Sequence, residues 1–106
     1  MSRMLAPLVL GVGLKMYLDH DQTLRWVERL RDAVGGHPAL TDGSATLFVL
    51  PTFPSLSESR RLLAHTSVAL GAQDLAAEDA GAFTGEVSGV ELRQVGCVFV
   101  EVAHAE

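Results

Sequence analysis

A single cysteine, a single lysine and few aromatic side chains mark this 106-residue chain. The lone Cys97 can form no internal disulfide, so a disulfide-held scaffold is excluded and a reducing compartment is compatible. Basic side chains are in the minority, 8 against 13 acidic ones, for a formal net charge of -5. That balance argues against nucleic acid or an anionic membrane as partner, since both favour a basic face. No apolar run approaches the roughly 20 residues of a membrane span. Residues 6–14 come nearest to a signal-peptide core. Only Arg3 precedes them, however, two glycines interrupt them, and no small-x-small cleavage site follows. The expectation is a soluble, cytoplasmic protein.

What is present is a globular composition: 48% hydrophobic and 20% charged residues, read as one domain over residues 1–106. Four short apolar runs stand out at 8–10, 46–50, 67–70 and 98–102. Each is nearly continuous, without inside/outside alternation, which is the pattern of covered parallel strands. Between them lie helical signals. Residues 21–34 put Leu24, Val27, Leu30 and Val34 on one stripe, with Gly35-Gly36 as the stop. Ser55-x-x-Glu58 and Ser88-x-x-Glu91 are capping-box patterns, and Gly96 would close the helix that the second one opens. The order β-α-β-α-β-α-β predicts an α/β chain of parallel strands joined by right-handed crossovers. A Rossmann-like sheet and the first half of a (β/α)8 barrel both fit. A complete barrel normally needs about 250 residues.

In such folds ligand-contacting groups gather beyond the carboxyl ends of the strands. Lys15 follows the first run and is the only lysine, against seven arginines. A compact ammonium there suits an anionic substrate, and an ordinary surface lysine is the alternative. His104, after the fourth run, could be an acid/base group, an electrophile or a solvated terminal histidine. Glu106 could be its partner carboxylate or a terminal residue needing no explanation. Gly11-x-Gly13 fails as a dinucleotide loop because Met16 stands where the third glycine belongs. Asp19-His20-Asp21 reads as the acidic first turn of a helix and not as a metal site. His37 and His65 read as surface residues, and Cys97 as buried packing. No Gly-x-Ser-x-Gly elbow appears.

At Gly81-Ala82-Phe83-Thr84-Gly85-Glu86 the chain resembles the triosephosphate isomerase family, which carries Gly-Ala-(Phe/Tyr)-Thr-Gly-Glu in the loop after its third strand. Ala72-Gln73-Asp74 is close to the family's Ala-Gln-Asn, and Val102-Ala103-His104-Ala105-Glu106 is similar to Ile-Gly-His-Ser-Glu. Gly13-Leu14-Lys15-Met16 aligns with Asn-Trp-Lys-Met. The resemblance implies a homodimeric (β/α)8 barrel of which β1 to β4 are present. It implies interconversion of dihydroxyacetone phosphate and glyceraldehyde 3-phosphate through an enediolate, with no metal or organic cofactor. Lys15 would hold the substrate phosphate and assist the developing charge. His104 would donate to the substrate oxygens, and the family's histidine is a standard example of an imidazole kept neutral. Glu106 would pair with Lys15. Gln73, Thr84 and Glu86 would belong to the dimer loop, Thr84 reaching toward the partner subunit and Glu86 holding the loop.

Three positions depart from the family pattern: Gly13 for asparagine, Leu14 for tryptophan and Ala105 for serine. Gly13 removes a substrate-facing donor, and a paralogue acting on another short ketose phosphate, such as a tetrulose phosphate, is the alternative to triose phosphate. The family's glutamate base, lid and main phosphate loops lie in the later half of its barrel, so the 106 residues alone are expected to be inactive. A non-catalytic half-barrel, serving self-association or sugar-phosphate binding, is the reading from another class.

Overall fold

The structure, a computed structural model, describes residues 5–105. Strand β1 (Leu8–Gly13) leads to helix α1 (His20–Val34), a short α2 (Pro38–Thr41) and strand β2 (Ala45–Leu50). Helix α3 (Leu56–Leu62), strand β3 (Ala69–Ala72), helix α4 (Gly89–Gln94) and strand β4 (Cys97–Val100) complete the series. All the strands are parallel, and their order in the sheet is β1-β2-β3-β4. That order decides between the two α/β architectures. A doubly wound sheet reverses direction at a switch point, whereas a barrel adds each strand beside the last. The chain is a partial (β/α)8 barrel, open between β1 and β4.

Local signals account for most of these elements. Asp19 caps α1 reciprocally: its carboxylate accepts from the Gln22 N–H at 2.8 Å, and the Gln22 side chain accepts from the Asp19 N–H at 3.0 Å. Val27 is fully buried, with Trp26 and Leu30 packed against the same core; Thr23 joins this face by donating its hydroxyl to the Asp19 carbonyl at 2.7 Å. Ser88 caps α4 by accepting from the Glu91 N–H. Ser55 behaves otherwise than its capping-box pattern suggests. It ends a 3-10 turn (Phe53–Ser55), makes no cap bond, and places its hydroxyl 2.9 Å from Nδ1 of His20. The Ser55 hydroxyl thus links the starts of α1 and α3.

Strands β3 and β4 also differ from the sequence reading. β3 lies two residues later than the run at 67–70, because Thr66 closes a turn by donating to the Leu63 carbonyl and accepting from the Val68 N–H. Gly71 and Ala72 carry little β propensity, yet they fit where bulk cannot. β4 starts at Cys97 and its last residue is Val100, with a register shift opposite Leu70 and Gly71. Cys97 is buried, and burial pushes its thiol up. Among the described residues no helix is long and apolar enough to cross a membrane.

Two apolar clusters cover the outer face of the sheet. Val12, Leu47 and Val49 pack with Leu14, Val27, Leu63 and Val68 beneath α1 and α3. Leu70, Ala72 and Cys97 pack with Leu56 and Leu92 beneath α3 and α4. The alternate residues face the barrel interior. There Phe48 and Phe99 stack, with ring centroids 4.3 Å apart and 15° between planes. A Cβ on Gly11 would lie 2.1 Å from the Phe48 ring, and one on Gly71 would lie 2.4 Å from Leu50 Cδ2. Glycine in these strands is therefore the counterpart of the bulky side chains that lie across them.

The opposite wall of that interior is not among the described residues. The surface area of 7091 Å² exceeds the about 5,700 Å² expected of a compact monomer of this mass. Leu8 and Leu10 on the β1 edge are 53% and 50% exposed, and Val100 on the β4 edge is 40% exposed. Unpaired strand edges beside apolar surface drive association. Prepared as these 106 residues, the protein is expected to self-associate at micromolar concentration. Sedimentation equilibrium checks this, and a compact monomer with cooperative unfolding overturns it.

Candidate functional site

Beyond the carboxyl ends of the strands, the backbone leaves regular geometry at two non-glycine residues. Lys15 has φ +56° and Ala103 has φ +57°. Each left-handed residue costs about 1–2 kcal/mol, and such strain persists only where the surroundings fix it. At Lys15 the fixing group is Gln73. Its amide Nε2 donates to the Lys15 carbonyl and to the Leu50 carbonyl, both at 2.9 Å. The Leu50 carbonyl also accepts from the Leu14 N–H at 3.1 Å. A side chain that follows β3 thereby joins the ends of β1 and β2. Gln73, expected in the dimer loop, has its side chain bonded at the ends of β1 and β2.

The Lys15 side chain turns back over its own strand. A methyl-sized group built on Gly13 would lie 2.9 Å from Lys15 Nζ, and 3.9 Å from both Glu101 Oε1 and Leu50 Cδ1. The absence of a side chain at Gly13 thus lets the Lys15 ammonium lie close over the strand, with the Glu101 carboxylate and a Leu50 methyl group nearby. Glu101 continues the ladder past β4 by donating its N–H to the Ala72 carbonyl at 2.9 Å. Its Oε2 lies 3.9 Å from Nε2 of His104. The structure brings Gly13, Lys15, Glu101 and His104 together at one end of the sheet. Glu106 lies outside the described residues.

Thr84 and Glu86 stand apart from this cluster. Residues 76–87 form a loop closed at its base by the Ala76 N–H donating to the Val87 carbonyl at 2.8 Å. At its tip the Glu86 N–H donates to the Phe83 carbonyl, and Gly85 takes φ +86° at the turn position that favours glycine. Thr84 is exposed there, and Glu86 holds the turn through its backbone. Leu14 is buried in the core, where tryptophan stands in the family pattern.

Glu101 was missed by sequence reasoning, which took 98–102 as one apolar strand. The available signal was the charge itself: a carboxylate inside Val98-Phe99-Val100-Glu101-Val102, at the catalytic end of a barrel strand. Among the described residues no group of three or more His, Cys, Asp and Glu could hold a metal ion. A cavity of about 560 Å³ between Arg60, α4 and the outer flank of β4 shares no residue with the Lys15 cluster.

The triosephosphate isomerase family model matches residues 8–106. The chain is 50% identical over 99 residues to the L-erythrulose-1-phosphate isomerase of Pectobacterium atrosepticum, covering 93% of this chain and 38% of that protein. It is 36% identical over 96 residues to the L-erythrulose-1-phosphate isomerase of Rhizobium etli, covering 91% and 34%. It is 33% identical over 100 residues to the triosephosphate isomerase of Thermoanaerobacter pseudethanolicus, covering 94% and 38%. The chain spans under two-fifths of the length of these relatives.

The strain at Ala103 has a measurable consequence. Ala103→Gly is expected to stabilise the protein by about 1 kcal/mol, because glycine adopts φ +57° without a Cβ clash. Ala103→Val is expected to destabilise it. Both are read as shifts in the urea midpoint at matched protein concentration, and a midpoint insensitive to both overturns the assignment of strain to this residue.

Proposed function

The chain belongs to the triosephosphate isomerase family, and on that premise we propose that residues 1–106 are the first half of a sugar-phosphate isomerase barrel acting on a four-carbon ketose phosphate. The observation that carries this reading is Gly13. It carries no amide where the family pattern has asparagine, and the Lys15 Nζ comes within 2.9 Å of the point that a Cβ there would occupy, so the contacts that a substrate meets beside Lys15 differ from those of the triose pattern. The 50% identity to an L-erythrulose-1-phosphate isomerase supports the same choice. Triose phosphate is the second reading, supported by the shared Lys15 and His104 pattern and by the relatives of that name.

In this proposal Lys15 acts as a point charge. It attracts the substrate phosphate and offsets negative charge as the carbonyl becomes an enediolate. His104 serves as hydrogen-bond donor and acceptor to the two oxygens between which the proton is exchanged. The base that removes the carbon-bound proton comes from the second half of the barrel, as does the glycine-rich grip on the phosphate. Gln73 keeps Lys15 in its left-handed conformation and so fixes where the ammonium can reach. Thr84, exposed on a loop with a rigid turn at its tip, docks against a second subunit of a homodimer. A cytoplasmic location belongs to the same reading and is supported by the single unpaired cysteine.

Two kinetic experiments test this in a complete barrel, made by joining the chain to the remaining residues of its 50%-identical relative. Lys15→Ala is expected to lower kcat/KM by several orders of magnitude, and Lys15→Arg to leave it low, since a planar fork cannot occupy a point-charge site. Near-normal turnover in Lys15→Ala overturns the role given to Lys15. Gly13→Asn is expected to raise the preference for triose over tetrulose phosphate, expressed as a ratio of kcat/KM values. The Lys15 terminus it meets is flexible, so the variant should fold. An unchanged ratio removes the argument from Gly13.

A further inference from the structure

We infer that Glu101 is a positioning residue, whose carboxylate holds the His104 imidazole through one oxygen and the Lys15 ammonium through the other. This rests on the isomerase reading above, for triose and tetrulose phosphate alike. It names a carboxylate other than Glu106, the partner that the resemblance gives to Lys15.

Backbone geometry delivers the carboxylate to its place. The Glu101 N–H donates to the Ala72 carbonyl at 2.9 Å, so the residue is tied to β3 although β4 ends at Val100. The chain then turns through Ala103, whose φ of +57° is left-handed. That turn returns His104 toward Glu101, with Nε2 3.9 Å from Oε2. A left-handed residue other than glycine persists only where its surroundings fix it. The anchored Glu101 before the turn, and the two side chains that meet across it, are such surroundings.

The other oxygen faces the first strand. Oε1 and Lys15 Nζ lie 3.9 and 2.9 Å from the same point over Gly13. They are therefore within about 7 Å of each other, inside the distance over which physiological salt screens charges. Among the described residues no lysine or arginine nitrogen lies within 4.0 Å of the carboxylate, and 3.9 Å to His104 exceeds a hydrogen bond. The hold is thus electrostatic, and the part-buried carboxylate is less screened than a surface one. A carboxylate has two acceptor oxygens and can serve two donors at once. Here it keeps Nε2 turned toward the end of the sheet where Lys15 lies, and keeps the ammonium over the bare strand at Gly13. The charge in this apolar stretch would otherwise cost stability. Stabilising an enediolate requires both groups to be in place before its charge develops.

The test uses the joined barrel with both substrates and compares two variants. Glu101→Gln keeps the shape and removes the charge; Glu101→Asp keeps the charge and shortens the side chain. Glu101→Gln is expected to lower kcat about 10-fold on either substrate, with KM within about threefold, because the groups it releases act on the transition state. Glu101→Asp is expected to lose less, about threefold, since attraction at these distances falls off slowly. In barrels already carrying His104→Gln or Lys15→Ala, the further effect of Glu101→Gln should shrink to about twofold or less, because neighbours that act together are not additive.

The opposite order, with Glu101→Gln near normal and Glu101→Asp impaired, would mean that Glu101 fills space, and this overturns the inference. So does an equal loss in all backgrounds, or a loss of kcat that merely follows a loss of folded protein by circular dichroism. A folded unmodified barrel that turns over neither substrate overturns the isomerase reading, and the role of Glu101 with it.

Discussion

The Gln73 amide is the constraint on which the mouth of this half-barrel depends. One nitrogen donates to carbonyls at the ends of two strands, and its own backbone follows a third. Hydrogen bonds of this kind contribute about 0.5–1.5 kcal/mol each, roughly the size of the strain in one left-handed residue. The balance explains how Lys15 can hold φ +56° without being glycine. It also makes the backbone position from which the Lys15 side chain starts a property of three strands.

Beneath that mouth the interior is built by exchange of bulk between strands. Gly11 and Gly71 carry no side chain where Phe48, Leu50 and Phe99 cross them, and the two phenyl rings meet face to face. Small-against-large packing of this type lets a strongly curved sheet fill its concave side from one half only. The arrangement still leaves the edges at β1 and β4 uncovered, and Leu8, Leu10 and Val100 show it. Helices α1, α3 and α4 cover the outer face with two apolar clusters. Leu8 and Leu10, on the same face of β1 as Val12, nevertheless remain half exposed, so the β1 edge lacks cover on its outer side.

The sequence carried the topology because continuous apolar runs alternating with an amphipathic stripe leave few other solutions. It could not choose between sheet and barrel, because both use the same βα units; the neighbour relation of the strands made that choice. Errors of boundary fell where small residues form strands, at Gly71 and Ala72, or where an apolar residue lies past the strand end, at Val102. The Ser55 pattern failed as a cap because His20, distant in sequence, took its hydroxyl. Lys15 and His104 were legible as strand-end residues and by resemblance. Gln73 was legible as a motif position but not in its bonding, because an amide that reaches two carbonyls 23 and 58 residues away leaves no local trace.

Glu101 shows why a charge in an apolar run carries more information than the run itself. Hydrophobic strand residues can be exchanged at modest cost if volume is kept, so their identity says little beyond fold. A carboxylate at the same place reduces stability unless something offsets its desolvation. Here its Oε2 lies 3.9 Å from Nε2 of His104, and its Oε1 lies 3.9 Å from the point that a Gly13 Cβ would occupy, so the charge sits at the end of the sheet where Lys15 and His104 are gathered.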